Sequence, residues 1–146
     1  MKILIMGLPG SGKTTLAEKL LTELHKNGPA EWLNADEVRK ECDDWDFSPE
    51  GRMRQAVRMR AIADKYVAAG FPTICDFVCP TRELREVFQA DVVIWMDTIK
   101  KGRYSDTNKV FEKPTSEEYD IRIDEFASDK WAGFIADLIF AIREDV

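Results

Sequence analysis

Histidine, cysteine pairs and long apolar runs are what this chain of 146 residues has little of. His25 is the single histidine and reads as an exposed helix residue, so a histidine general base is not expected. Cys42, Cys75 and Cys79 are odd in number and form no C-x-x-C pair. That excludes a zinc ribbon and suits the reduced thiols of a cytoplasmic protein. No apolar run approaches the roughly 18 residues that a membrane span needs, and the first residues read as a strand rather than a targeting peptide. Positive charge is also short: the net charge is −6, which argues against a broad duplex-binding surface. The guanine-reading pattern N-K-x-D is missing too. Asn108-Lys109-Val110-Phe111 has Phe where the Asp would pair with the base, so a GTP switch is not expected.

What is present begins at once. The apolar run Lys2–Met6 leads into Gly7-Leu8-Pro9-Gly10-Ser11-Gly12-Lys13-Thr14, followed by Thr15. This fits the spacing G-x-x-x-x-G-K-[ST] of a phosphate-binding P-loop. Glycines let successive backbone N–H groups turn into one concavity, and the helix that follows adds the positive end of its dipole. Lys13 is expected to reach the β- and γ-phosphates of ATP, and the Thr14 hydroxyl to hold Mg²⁺.

The rest of the chain alternates strands and helices. Leu16, Leu20 and Leu24 repeat at helical spacing until Gly28-Pro29 stops the run. Glu31–Asn34 reads as a second strand, Thr73–Cys75 as a third, Val92–Met96 as a fourth, and Ile121 with Ile123 as a short fifth. Ser48-Pro49-Glu50 is a helix start with a Ser cap and a first-position proline, predicting a helix to about Ala69. A short helix over 81–88 is also expected. Residues 98–118 carry little apolar periodicity and read as a mobile loop. In the last helix Trp131, Phe134, Ile135, Leu138, Ile139 and Ile142 form a helical stripe that is expected to face the core. The pattern predicts one α/β domain over 1–146, a three-layer sandwich with a mostly parallel five-stranded sheet and a P-loop nucleoside triphosphate hydrolase fold.

Ligands gather at the carboxyl ends of parallel strands. Asp36, Asp76 and Asp97 all follow apolar strands, so each is a candidate to hold the metal or to take a proton, and sequence does not separate them. Residues 31–50 hold eight acids against Arg39 and Lys40, whereas 52–65 carry Arg52, Arg54, Arg58, Arg60 and Lys65 against Asp64. Local positive charge on an acidic chain suits a small anion in a cleft. Arg39 and Arg52 are the candidates to grip it, and Phe47 is placed to stack on a base.

Gly7–Thr15, Leu33–Arg39, Asp46–Arg52 with Gln55 and Arg58, Ala69-Gly70, and Phe77-Val78-Cys79-Pro80 together resemble the adenylylsulfate (APS) kinase family. That family carries L-D-G-D-N-V-R, F-S/T-x-E-D-R-x-x-N-I-R-R and S-F-I-S-P in the same order, and the likeness runs over about residues 3–125. It implies transfer of the γ-phosphate of ATP to the 3′-hydroxyl of adenylyl sulfate. By the same likeness Asp36 would be the metal-organising acid and base, and Arg39, Arg52 and Gln55 would hold the acceptor. Phe47 would stack on its adenine, and Phe77, Val78 and Pro80 would line its pocket. Asn34 stands where the family has the first Asp of D-G-D, Gln55 where it has Asn, and Asp76 where it has Ser. The lysine-rich lid K-G-L-Y-K-K-A-R appears here as Lys101–Lys109, so Arg103 or Lys109 would supply the lid charge, with Lys101 beside them and Phe111 as the lid aromatic. Two other readings stay open. One is a nucleic-acid kinase acting on a 5′ end or hydroxymethylated base, with Arg54, Arg58, Arg60 and Arg85 along the polymer. The other is a nucleotide-binding module without transfer. A small nucleotide acceptor is the expected partner, no membrane is expected, and a homodimer is left open.

Overall fold

The computed structural model describes residues 1–144. Its centre is β1 (Lys2–Gly7), whose residues are all buried. Around it lie β2 (Glu31–Asn34), β3 (Thr73–Asp76), β4 (Val92–Met96) and β5 (Ile121–Ile123), giving a five-stranded sheet in the order β2-β3-β1-β4-β5. Every pairing is parallel, one step further than the mostly parallel sheet expected.

Alternate residues of β1 point to opposite faces, and each face has its own core. Ile3 and Ile5 pack with α1 (Lys13–His25) and α6 (Ser128–Glu144) through Leu16, Leu20, Ile135 and Ile139. Leu4 and Met6 pack on the other face with Val38, Met59 and Phe88, from α2 (Ala35–Cys42), α3 (Pro49–Ala68) and α4 (Arg82–Phe88). Burying each of these large side chains stabilises the fold by roughly 1.5–3 kcal/mol.

The expected helix start at Ser48 is present, its hydroxyl accepting from the Gly51 N–H at 3.2 Å, and Thr81 caps α4 in the same way through Leu84 at 3.2 Å. Three expectations need correction. Sequence reading placed no helix after β2, yet Asn34 caps α2 by accepting from Glu37 N–H at 3.1 Å. Residues 98–118 are not all loop, since they contain α5 (Ser105–Val110). The apolar stripe of α6 is rotated: Ala132, Ile135, Ala136 and Ile139 are buried, while Phe134 and Ile142 are exposed. The small alanines let α6 approach α1, and the larger stripe residues spill over the edge of that contact. No helix among the described residues is long and apolar enough to cross a membrane.

Candidate functional site

The loop from Gly7 to Gly12 is shaped by what lies beneath it. Gly7 is buried with φ +154°, and a Cβ there would stand 2.7 Å from the Met96 carbonyl oxygen. Gly12, at φ +97°, begins α1 without any side-chain cap, so the first N–H groups of the helix are left for an anion. Leu8 and Ser11 are buried under the loop, while Gly10, Gly12, Lys13, Thr14 and Thr15 line a cavity of about 450 Å³ above it. Lys13 is 9% exposed, and its ammonium donates to the Leu8 carbonyl oxygen at 3.0 Å. Burial pulls its pKa down to about 8, with Asp76 and Asp36 opposing the shift and nearby Arg103 adding to it.

The three carboxylates that sequence could not separate fall in different places. Asp97 is held by Arg122 at 2.8 Å. Asp76 is buried at the end of β3, with Oδ1 3.4 Å from the Thr14 hydroxyl. It accepts from Trp32 Nε1 at 2.6 Å and from Asn34 Nδ2 at 3.2 Å. Burial raises its pKa, and the hydrogen bonds from Trp32 and Asn34 oppose that rise. Asp36 stands exposed in the first turn of α2 on the wall of a second, larger cavity.

That cavity, about 600 Å³, is lined by Asp36, Arg39, Phe47, Arg52, Gln55, Phe77, Val78 and Pro80 together. Chain positions as far apart as 36 and 80 thus share one wall. Arg39 is 4% exposed. Its Nη1 donates to the carbonyl oxygens of Asp44 at 2.9 Å and Asp46 at 3.2 Å, and its guanidinium lies 4.3 Å from the Phe47 ring centre. Arg52 donates to the Phe47 carbonyl oxygen at 2.8 Å and to the Thr107 hydroxyl at 3.3 Å. Asp106 lies 3.9 Å from its guanidinium. Burial lowers the pKa of both arginines. Gln55 is buried and ties α3 to the Ala35 carbonyl oxygen at 3.0 Å.

The arginines that a polymer-binding reading needs are engaged internally. Arg58 and Arg54 hold Asp44 at 2.8 and 3.3 Å, and Arg54 also holds Asp46 at 2.8 Å. Arg60 donates to the Val87 carbonyl oxygen. Arg85 is buried and donates to the Cys79 and Glu112 carbonyl oxygens. Among the lid candidates, Arg103 lines both cavities, whereas Lys101 and Lys109 line neither. Phe111 corrects an expectation: it packs against the core cluster beside α4 rather than on a cavity wall, because the chain turns inward where Glu112 N–H meets the Pro80 carbonyl oxygen at 2.7 Å.

Sequence reading missed the far wall of the smaller cavity, formed by Ile123, Glu125, Phe126 and Trp131. The available signal was Phe126, a large aromatic in a polar stretch, which is 67% exposed beside the phosphate loop. It also missed Trp45 and Tyr104 on the larger cavity.

The family model described as adenylylsulphate kinase matches residues 1–117. An adenylyl-sulfate kinase of Citrobacter koseri is 35% identical over 100 residues, 67% of this chain and 46% of the relative. One of Thermodesulfovibrio yellowstonii is 39% identical over 82 residues, 55% of this chain and 41% of the relative. The matched part of the chain thus spans less than half the length of these relatives. Among solved structures, the Mycobacterium tuberculosis APS kinase in complex with AMPPNP and APS superposes with a TM-score of 0.80 at 20% identity. That superposition covers 94% of this chain and 96% of the other. A shikimate kinase of Acinetobacter baumannii gives 0.60 at 20% identity, over 95% and 92%. At that identity both structures speak for the fold.

Proposed function

The chain belongs to the adenylylsulphate kinase family, and on that premise we propose that it transfers the γ-phosphate of ATP to the 3′-hydroxyl of adenylyl sulfate. The observation that carries this reading is that the two cavities meet at the same residues, Gly10, Lys13, Thr14 and Arg103. A phosphate over Lys13 would therefore be open to a nucleotide on one side and to an acceptor on the other.

In this reading the smaller cavity takes ATP, with the N–H groups at the start of α1 and the Lys13 ammonium on its phosphates. Phe126 and Trp131 face the base. The larger cavity takes the acceptor, with Arg39 and Arg52 on its anionic groups, Phe47 and Phe77 beside its ring, and Asp36 accepting the proton of the attacked hydroxyl. Residues 98–118 act as the lid of a single kinase domain, and closing them excludes water as a competing acceptor.

Mg²⁺ favours oxygen ligands and keeps several of its waters, and the Thr14 hydroxyl with the buried Asp76 carboxylate offers that donor set. Asp76 is the register partner of Asn34 across β2 and β3. Relative to the family pattern, the carboxylate has moved one strand toward β1 while its old position became an amide that donates to it. Thr14 and Asp76 would hold the ion, with Asp36 oriented toward the acceptor. Bound there, the ion would neutralise charge on the phosphates.

Labelled ATP offered with adenylyl sulfate, a 5′-hydroxyl oligonucleotide and hydroxymethylated DNA side by side tests the reading. Label is expected in adenylyl sulfate alone. Label only in DNA, or stoichiometric ATP binding with no transfer at all, would overturn it.

A further inference from the structure

Arg103 is an exposed side chain on a loop and stands between the two cavities. The residue before it, Gly102, lies against the phosphate loop. A Cβ there would stand 3.0 Å from Pro9 Cδ and 3.1 Å from the Pro9 carbonyl oxygen, so any larger residue would push the loop back by a few tenths of an ångström. The side-chain amide of Asn108 closes on that same glycine with both of its ends. Oδ1 accepts from the Gly102 N–H at 2.8 Å, and Nδ2 donates to the Gly102 carbonyl oxygen at 3.1 Å. A side-chain carbonyl and NH₂ held at one distance can satisfy a backbone donor and acceptor at once, as a neighbouring strand does. Asn108 sits near the end of α5, one residue after Thr107, whose hydroxyl accepts from Arg52 on the larger cavity.

We infer that Asn108 is a positioning residue for phosphoryl transfer: by clamping Gly102 onto Pro9 it holds Arg103 at the junction of the two cavities. The inference rests on the kinase reading above, in which the migrating phosphoryl group occupies that junction. Arg103 reaches the loop itself, with Nε and Nη2 each 3.8 Å from where a Cβ on Gly10 would be, and its charge is felt by Lys13. In this sequence Ser105 and Asp106 stand where the family's lid carries lysines. The lid charge has moved to Arg103, and the amide at 108, where the family has Arg, keeps it in place.

The test uses a transition-state mimic, so it does not depend on the acceptor's identity. Affinity for Mg²⁺–ADP is measured with and without fluoroaluminate in the full chain, in Arg103→Ala, in Asn108→Ala and in the double variant. Arg103→Ala is expected to weaken the fluoroaluminate complex about 100-fold, the cost typical of one lost charge-stabilising donor, and to weaken Mg²⁺–ADP alone far less. Asn108→Ala should lose about tenfold of the same quantity by misplacing that group, and nothing further in the Arg103→Ala background, because it acts through the arginine. Equal weakening of both complexes by Asn108→Ala, or a full additional loss in the double variant, would overturn the inference while sparing the kinase reading. Where the unaltered protein forms no such complex alone, adenylyl sulfate is added to fill the in-line position; none formed even then overturns the kinase reading, and the inference with it.

Discussion

The phosphate loop between β1 and α1 and the cavity wall between α2 and α3 face each other across Lys13, but different parts of the chain hold them in shape. The loop is fixed by backbone: glycine conformations, the close approach of Gly7 to Met96, and the uncapped start of α1. The wall is fixed by side chains reaching across loops: Arg39 on the carbonyl oxygens of Asp44 and Asp46, Arg58 and Arg54 on Asp44, and Gln55 on Ala35. A backbone cradle recognises any phosphate and tolerates few substitutions. A side-chain wall can be rebuilt one residue at a time, and Asn34, Gln55, Asp76 and Asp106, all on the larger cavity, depart from the family pattern while the loop keeps every fixed position. Under the proposed reading, the donor end keeps the family pattern and the acceptor end departs from it.

The largest effect is expected where the halves meet. Lys13→Ala should lower single-turnover phosphoryl transfer by about 10³-fold, since it removes a buried charge aimed at the transferred group. The unfolding midpoint should hold or rise, because the lost cation was costly to bury. Transfer at an undiminished rate would break the division into donor loop and acceptor wall.

The exchange of Asn34 and Asp76 provides a sharper test. Asp76→Ser should remove the Mg²⁺-dependent gain in ATP affinity, on the order of 10–100-fold, while leaving metal-free ATP binding intact. Adding Asn34→Asp should restore it, because the carboxylate returns to Thr14 from the neighbouring strand. Titration of Mg²⁺ into the ATP complex reads this without any turnover.

Gly51→Ala separates the halves the other way. Its Cβ would meet the Asp46 carbonyl oxygen at 2.1 Å, so the loop bearing Phe47 must shift. Stability should fall by about 1–3 kcal/mol and the acceptor KM should rise, with nucleotide affinity unchanged by calorimetry.

The smallest effects are those of pH. Lys13 has its pKa lowered from 10.5 to about 8, so the unliganded protein loses this charge above that value, and triphosphate affinity should fall as pH rises through it. Stability should move oppositely. Between about 8 and 10.5 the unfolded chain binds the extra proton, so raising pH through that window favours the folded state. On the wall, hydrogen bonds from Ser48 and Arg54 hold Asp46 down to about 2, and Arg58 and then Arg54 hold Asp44 below the carboxylate range. Their contribution is complete above the ordinary carboxylate pKa and is lost as pH falls through these lowered values. Tryptophan fluorescence of Trp45 in an acid titration follows it.

Sequence made the donor half legible because its signals are local. Glycine spacing, a strand before it and a helix after it are all read within fourteen residues, and Ser48-Pro49 marked α3 for the same reason. The proposed acceptor wall was read from the family pattern, and the residues named for it line one cavity. What stayed hidden depends on long-range packing. Helix α2 buries Val38 together with Arg39, so a cation occupies a place where apolar periodicity would look for a hydrophobe. Asp76 ends β3 and Asp97 follows β4, the two strands that flank β1, and the two look equivalent in sequence. Only Arg122, delivered by β5, decides that Asp97 is taken. Phe126 carried no motif at all; only the fold brings its ring to 3.4 Å from where a Cβ on Gly12 would be.

The central claim is that the two cavities form one site for transfer between them. Its most direct measurement follows the γ-label of ATP with Mg²⁺ and adenylyl sulfate in a single turnover, with the product's phosphate position read by NMR. The account predicts label on the 3′-hydroxyl, at a rate that collapses in Lys13→Ala and is saturable in adenylyl sulfate. Label released only to water, at a rate indifferent to adenylyl sulfate, would contradict it.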